Sequence, residues 1–362
     1  MNLNIPINTV SFGQISTLIL RSLFDKSNSL DKIKLFPIGN VELGSQSNID
    51  DRFIREVNLS IQNAFELFNR KEPIFKLWHL NGSIESYSDN QTLLSFYELD
   101  SPTKTEQNVI RNNKKVLFSS KYTVDIFKNL GINNVEYLPL AFDKYNFSRI
   151  DKLYFSDRIT FNLVGKMEKR KHHLKVLKAW AKKYGNNNKY SLQCSIFNPF
   201  ISPQDQETVL NQTLEGKRYF NISFLPFQPH NSMYNDYLNS ADIVIGMSGG
   251  EGWGLPEFHS IALGKYGVIL NAHGYKSWAN KDNAILVEPL DKKIPAEDGI
   301  FFKSNTPYNQ GNIFDFDEDD FISGCELAIT KVKSNKVNEN GIKLQKDFSS
   351  EKLIDNIQRL SQ

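Results

Sequence analysis

Between Met247 and Lys265 the chain reads Ser-Gly-Gly-Glu-Gly-Trp-Gly-Leu-Pro-Glu-Phe-His-Ser-Ile-Ala-Leu-Gly, residues 248–264. Gly249, Gly250, Gly252 and Gly254 allow a ligand to approach the backbone closely, and Glu251 is the one carboxylate among them able to accept hydrogens from sugar hydroxyls. Pro256 suits a first helical turn, Phe258, Ile261 and Ala262 share a face, and Gly264 ends the helix. A glycine loop that opens a helix offers unpaired N–H groups and a positive dipole to a phosphate. The plainer alternative is a tight turn with a solvated Glu251. Upstream, Gly165-Lys166-Met167-Glu168-Lys169-Arg170-Lys171 forms a second polar turn. By itself it reads as an exposed basic loop, or as a nucleic-acid patch extended by His172 and His173.

Both turns follow β-type runs. In the second half of the chain, strands at Ile159–Val164, Ser191–Phe197, Ile222–Leu225, Ile243–Met247 and Val268–Leu270 alternate with helical stretches. One of these places His173, Leu174, Leu177, Trp180, Ala181 and Tyr184 on a single face. That alternation predicts a parallel sheet wound with helices, whose ligands gather at the carboxyl ends of the strands. The first half is less regular, with strand candidates at Ile74–Leu77, Leu93–Tyr97, Lys115–Phe118 and Val135–Tyr137 and a short helix at Thr123–Leu130. The aperiodic stretch Asp143–Asp157 suits an interdomain connection. The expected units are an N-terminal domain over 1–155, a C-terminal domain over 156–345, and a final segment, 346–362, with an amphipathic helix at Leu353–Leu360.

On these residues the chain resembles the retaining GT-B glycosyltransferases of family four, whose loop of the type Glu-Gly-Phe-Gly-Leu-Pro opens a helix. Asn239–Ile245, Phe96–Asp100 and Ser119–Tyr122 extend the resemblance, which covers residues 90–290. It implies an α/β fold of the GT-B type, two Rossmann-like domains facing each other across a cleft, with the C-terminal domain binding a sugar nucleotide, the N-terminal one binding the acceptor, and the final helix packing back on the first domain. It also implies that Glu251 contacts the donor sugar and that Lys166 and Lys171, which follow Gly165 in a polar turn, neutralise the donor diphosphate. A leaving diphosphate gains negative charge as the glycosidic bond breaks, so preorganised cations stabilise it. Gly250, Gly252, Trp253, Gly254 and Leu255 line the donor through their backbone. His79, in Trp78-His79-Leu80-Asn81-Gly82-Ser83, matches a histidine that touches the donor sugar, or else packs between Trp78 and Leu80. Phe12 and Gly13, in Ser11-Phe12-Gly13-Gln14, fall on the acceptor side. The family's second glutamate, which holds the ribose, is replaced by His259; the imidazole either bonds one ribose hydroxyl or is a packing residue.

The reaction implied is transfer of a hexose-type sugar, with retention, from a nucleoside-diphosphate sugar to a hydroxyl of a glycan, a lipid-linked glycan or a small molecule. Two rivals are a homologue that binds sugar nucleotides without catalysis, and an enzyme that glycosylates modified bases of viral DNA. With 43 Lys and Arg against 41 Asp and Glu in 362 residues, the charge is formally +2. No whole-molecule field therefore draws the chain to nucleic acid, which enters only as a modified-DNA acceptor. Cys194 and Cys325 lack metal-ligand spacing, so no zinc site is indicated and a reducing cytoplasm is expected. No apolar run predicts a membrane span. Asp315-Phe316-Asp317 matches the metal-binding Asp-X-Asp of another glycosyltransferase fold, but reads better as the acidic start of a helix over Phe321–Val332. No cofactor and no metal are expected.

Overall fold

The computed structural model describes residues 1–152 and 154–361; Leu153, in the expected connection, and Gln362, in the expected final segment, lie outside the described residues. The first half runs β1 (Asn2–Ile7), α1 (Ser11–Ser27), β2 (Lys34–Val41), α2 (Asp51–Glu66), β3 (Ile74–Leu77), β4 (Gln91–Ser95), α3 (Lys104–Arg111), β5 (Lys115–Phe118), α4 (Lys121–Asn129) and β6 (Val135–Tyr137). Its six strands form one parallel sheet in the order β2-β1-β3-β4-β5-β6. The second half runs β7 (Ile159–Val164), α5 (His173–Tyr184), β8 (Tyr190–Ser195), α6 (Pro203–Thr213), β9 (Ile222–Phe224), α7 (Asn231–Asn239), β10 (Ile243–Gly246), α8 (Leu255–Ala262), β11 (Tyr266–Leu270) and β12 (Ile285–Val287). These strands make a second parallel sheet, β12-β11-β10-β7-β8-β9.

Local signals start and stop these elements. Thr103 and Glu106 form a reciprocal capping box on α3, which satisfies two of the donors a helix start leaves open. Ser202 caps α6 with Pro203 behind it, and Gly254, at φ +86°, hands the chain into α8. β4 and β8 end at Ser95 and Ser195, short of the extents the sequence predicts. Directly after the first of these, Phe96 lies against Gly252 of the other half.

Two features tie the halves together. After β12 a short antiparallel pair, β13 (Ile294–Pro295) and β14 (Asn312–Ile313), frames an arm that reaches the first half. Ala296, Phe302 and Ile313 of the arm are buried with Leu80, Leu93 and Tyr97. Then α9 (Glu318–Ser334), α10 (Glu339–Ile342) and α11 (Leu344–Asp347) lead to α12 (Ser350–Leu360). This last helix buries Leu353, Ile354, Ile357 and Leu360 and meets α1 through Lys26 and Asp355, 2.8 Å apart. Asp317 caps α9 by accepting from the N–H groups of Asp319 and Asp320, and Asp315 pairs with Lys175 at 2.7 Å. The Asp-X-Asp carboxylates are thus engaged in capping and pairing.

Candidate active site

The carboxyl ends of the two sheets face each other, and the two turns singled out in the sequence meet there. The first follows β7. Gly165 takes φ +116°, a conformation that favours glycine, and Lys171 Cε and Nζ fold back over the turn to within ordinary contact distance of it. Lys166 points outward, half-exposed, 2.9 Å from Glu168 and over the Phe301 ring of the arm at 4.6 Å.

The second turn follows β10. Gly249 N–H donates to Arg170 C=O at 2.8 Å, which stitches the two turns together. Glu251 is buried and in direct contact with Lys171, and Arg170 Nη1 lies 3.1 Å from the same carboxylate. Burial alone would raise the Glu251 pKa, but Lys171 and then Arg170 outweigh it and hold the carboxylate down at about 2. For Lys171 burial opposes the charge, and Glu251 and Glu257 overcome it, so its pKa is raised. The pair stays ionised in a place with little water, and its field there is weakly screened.

Close packing across the seam accounts for the glycines. A Cβ on Gly250 would sit 2.4 Å from Glu98 C=O, and one on Gly252 would sit 2.8 Å from Phe96 Cβ. Ser119 Oγ donates to Gly252 C=O at 2.8 Å from the end of β5. The half-buried Leu255 opens α8, whose first N–H groups have no partner within the helix itself. Trp253 turns the other way: its indole is buried against Phe258 and Phe348, so only its backbone belongs to the loop.

On the opposing sheet Phe12, at the start of α1, packs with tilted rings against His79 at 4.4 Å and Phe96 at 4.6 Å. Gly13 has no room for a side chain, because its Cβ would be 2.2 Å from Asn8 C=O. His79 keeps an exposed edge; the walls around it, and then Lys166 across the seam, lower its pKa.

His259 lies in α8. Its ring is buried against Phe147 at 4.4 Å and Phe142 at 5.6 Å, and Asp143 N–H points at its Nε2 from 3.4 Å. Burial, partly offset by the Leu255 carbonyl, lowers its pKa to about 3. It therefore packs on the connection between the halves, against Phe142, Asp143 and Phe147. Glu257 points back under the loop, where a Cβ on Gly254 would lie 3.2 Å from its Oε2 and 2.2 Å from Tyr275. Burial raises its pKa to about 7 against the pull of Lys171.

Four groups here had no assigned role in the sequence. Arg170 and Glu168 lay inside the basic turn but carried no spacing signal of their own. Glu98, within Phe96–Asp100, has no spacing signal of its own either. His273, whose Nδ1 meets Glu251 C=O at 2.7 Å, had no signal. Among the described residues no cluster of three His, Cys, Asp or Glu side chains could hold a metal, and no helix is long and apolar enough to cross a membrane. Cys194 and Cys325 are buried and unpaired.

No protein-family model matches the chain, and no curated protein matches it in sequence. Solved structures do. Anabaena HepE, crystallised with UDP and glucose, is similar at a TM-score of 0.66 and 13% identity, over 99% of this chain and 98% of its own. The sucrose-phosphate synthase of Thermosynechococcus elongatus is similar at 0.64 and 12% identity, over 99% and 97%. A variant of S. aureus TarM is similar at 0.55 and 13% identity over 84% of this chain, which spans only 59% of the TarM chain. At such identities the likeness is one of fold, and two parallel sheets, each flanked by helices and joined end to end across a seam, give this chain the GT-B architecture.

Proposed function

We propose that this chain is a retaining glycosyltransferase that moves a hexose-type sugar from a nucleoside-diphosphate sugar to a hydroxyl acceptor. Residues 156–345 hold the donor and residues 1–155 the acceptor. The observation that carries this reading is the buried contact of Lys171 with Glu251, which joins the basic turn and the glycine loop at the carboxyl ends of β7 and β10. A preorganised cation and a sugar-orienting carboxylate are then adjacent, as transfer requires. The solved structures with this fold include one bound to UDP and glucose, which supports the same donor class.

In the proposed reaction Lys171 and Lys166 stabilise the negative charge that grows on the leaving diphosphate. Glu251 accepts from the sugar hydroxyls, and the N–H groups of Gly252 to Leu255 offer donors to the phosphates at the start of α8. His79 closes the sugar site from the first half, and Phe12 and Gly13 border it on the acceptor side. The acceptor hydroxyl attacks on the face the diphosphate leaves. A leaving phosphate oxygen takes its proton, so no protein nucleophile is required. The lysines and the helix dipole do the work of a metal ion.

A second reading, sugar-nucleotide binding without catalysis, is favoured by one observation: His259 packs on the connection and leaves the ribose without the family's usual partner. Screening labelled sugar nucleotides for turnover in excess EDTA, then acceptors with the donor that reacts, separates the two. Transfer giving a product of the donor's anomeric configuration is expected. An inverted product, or activity only on adding a divalent ion, contradicts the retaining, metal-independent reading; binding without turnover favours the second.

A further inference from the structure

Arg170 sits at the centre of the seam, 6% exposed. Nη1 donates to Gly250 C=O at 2.7 Å and to Glu251 Oε1 at 3.1 Å. Nη2 lies 3.0 Å from Glu98 Oε1, and Nε lies 2.8 Å from Glu168 Oε2. The Arg170 carbonyl accepts from Gly249 N–H at 2.8 Å and from Ser248 Oγ at 3.1 Å. One residue thus grips the glycine loop by its backbone and by its carboxylate, and Glu98 belongs to the other half of the molecule.

We infer that Arg170 is a positioning residue, whose guanidinium fork sets the direction of the Glu251 carboxylate and keys it to Glu98, so that Glu251 is aimed only when the end of β4 is seated on the loop. This rests on the proposed sugar-transfer reading. The alternative is that Arg170 merely balances buried carboxylates. The two differ because charge balance needs any cation, whereas aiming needs a planar group with fixed donor directions, which an ammonium lacks.

The test compares wild type, Arg170→Lys and Glu98→Gln with whichever sugar nucleotide the wild type turns over, reading kcat, KM and nucleoside diphosphate affinity. Arg170→Lys keeps the charge. Its kcat is expected to fall about 100-fold, the scale of a small misplacement of an orienting group, with nucleoside diphosphate affinity unchanged. Glu98→Gln keeps the shape of the side chain and lies outside the donor half. It is expected to lower kcat by about tenfold with the same unchanged affinity, and it decides the matter if Arg170→Lys does not fold. Wild-type kcat in a folded Arg170→Lys protein, or equal losses of kcat and nucleoside diphosphate affinity, overturns the role of Arg170 while leaving the sugar-transfer reading standing. A wild type that turns over no sugar nucleotide removes both.

Discussion

Lys171 and Lys166 occupy one turn yet stand in different surroundings, and substitution should tell them apart. Each alanine variant is expected to lower turnover by about two to three orders of magnitude, the cost of losing a preorganised charge stabiliser. Lys166→Ala should leave stability nearly unchanged, because that side chain is half-exposed. Lys171→Ala should also cost about 1–3 kcal/mol, since it strips a buried carboxylate of one partner while Arg170 remains. Urea denaturation of both variants checks this, and equal stabilities would contradict the burial of the Lys171–Glu251 pair. His259 shows where sequence reading stops. On the family pattern alone His259→Glu should be tolerated and should tighten donor binding. In the structure it would place a carboxylate in an aromatic seam beside the buried Asp143, so a fall in melting temperature with unchanged donor affinity is expected; tighter binding without loss of stability would return His259 to the ribose. The contact between Glu251 and Lys171 was foreshadowed by the glycines and cations that flank them, whereas Lys166 of the same turn points outward. Arg170, Glu98 and His273 were not legible, because their roles arise only when two distant segments meet.

The centre of the second half was legible because the fully buried parallel strands β10 and β11 leave apolar runs between helices. β1 and β2 were not. β1 carries Asn2, Asn4 and Pro6, and β2 carries Pro37 and Gly39, residues that argue against strands in sequence. Asn4 is accommodated because its Nδ2 donates to Phe36 C=O at 2.9 Å, and the register shifts directly after Pro6. The arm between β13 and β14 was missed as well, since its anchors lie on the other half. Lys293 Nζ and Asn312 N–H reach the two oxygens of Asp100 at 2.8 and 2.7 Å, and Asn309 N–H reaches Glu106 at 2.8 Å. Asp100→Ala should therefore cost about 1–3 kcal/mol and make residues 297–311 more sensitive to limited proteolysis. An unchanged digestion pattern would show that the apolar contacts of Phe302 and Ile313 hold the arm alone.

At the scale of the whole molecule, four histidines are buried and have their pKa lowered chiefly by burial: His172, His173 and His259, the latter two to about 3, and His273, to about 4. The unfolded chain binds these protons near pH 6.5 and the folded one does not. Their contribution to stability is thus complete above that pH and is lost as the pH falls, by about 1.4 kcal/mol per pH unit for each ring. Glu257 acts in the opposite sense: its raised pKa contributes stability at low pH that is lost as the pH rises through about 7. Melting curves between pH 4 and 8 should show a steep acid limb, which His259→Phe makes shallower by one proton; an unchanged slope would mean that His259 is not buried neutral. The facing sheets, the arm and α12 set all these groups around one seam, and what that seam is for has one direct test. Nucleoside diphosphate release from a panel of sugar nucleotides should be measured in excess EDTA for wild type and for folded Lys171→Ala. The account predicts release by the wild type and a rate lower by about two to three orders of magnitude in the variant. Release from none of the donors, or the same rate in both proteins, would contradict it.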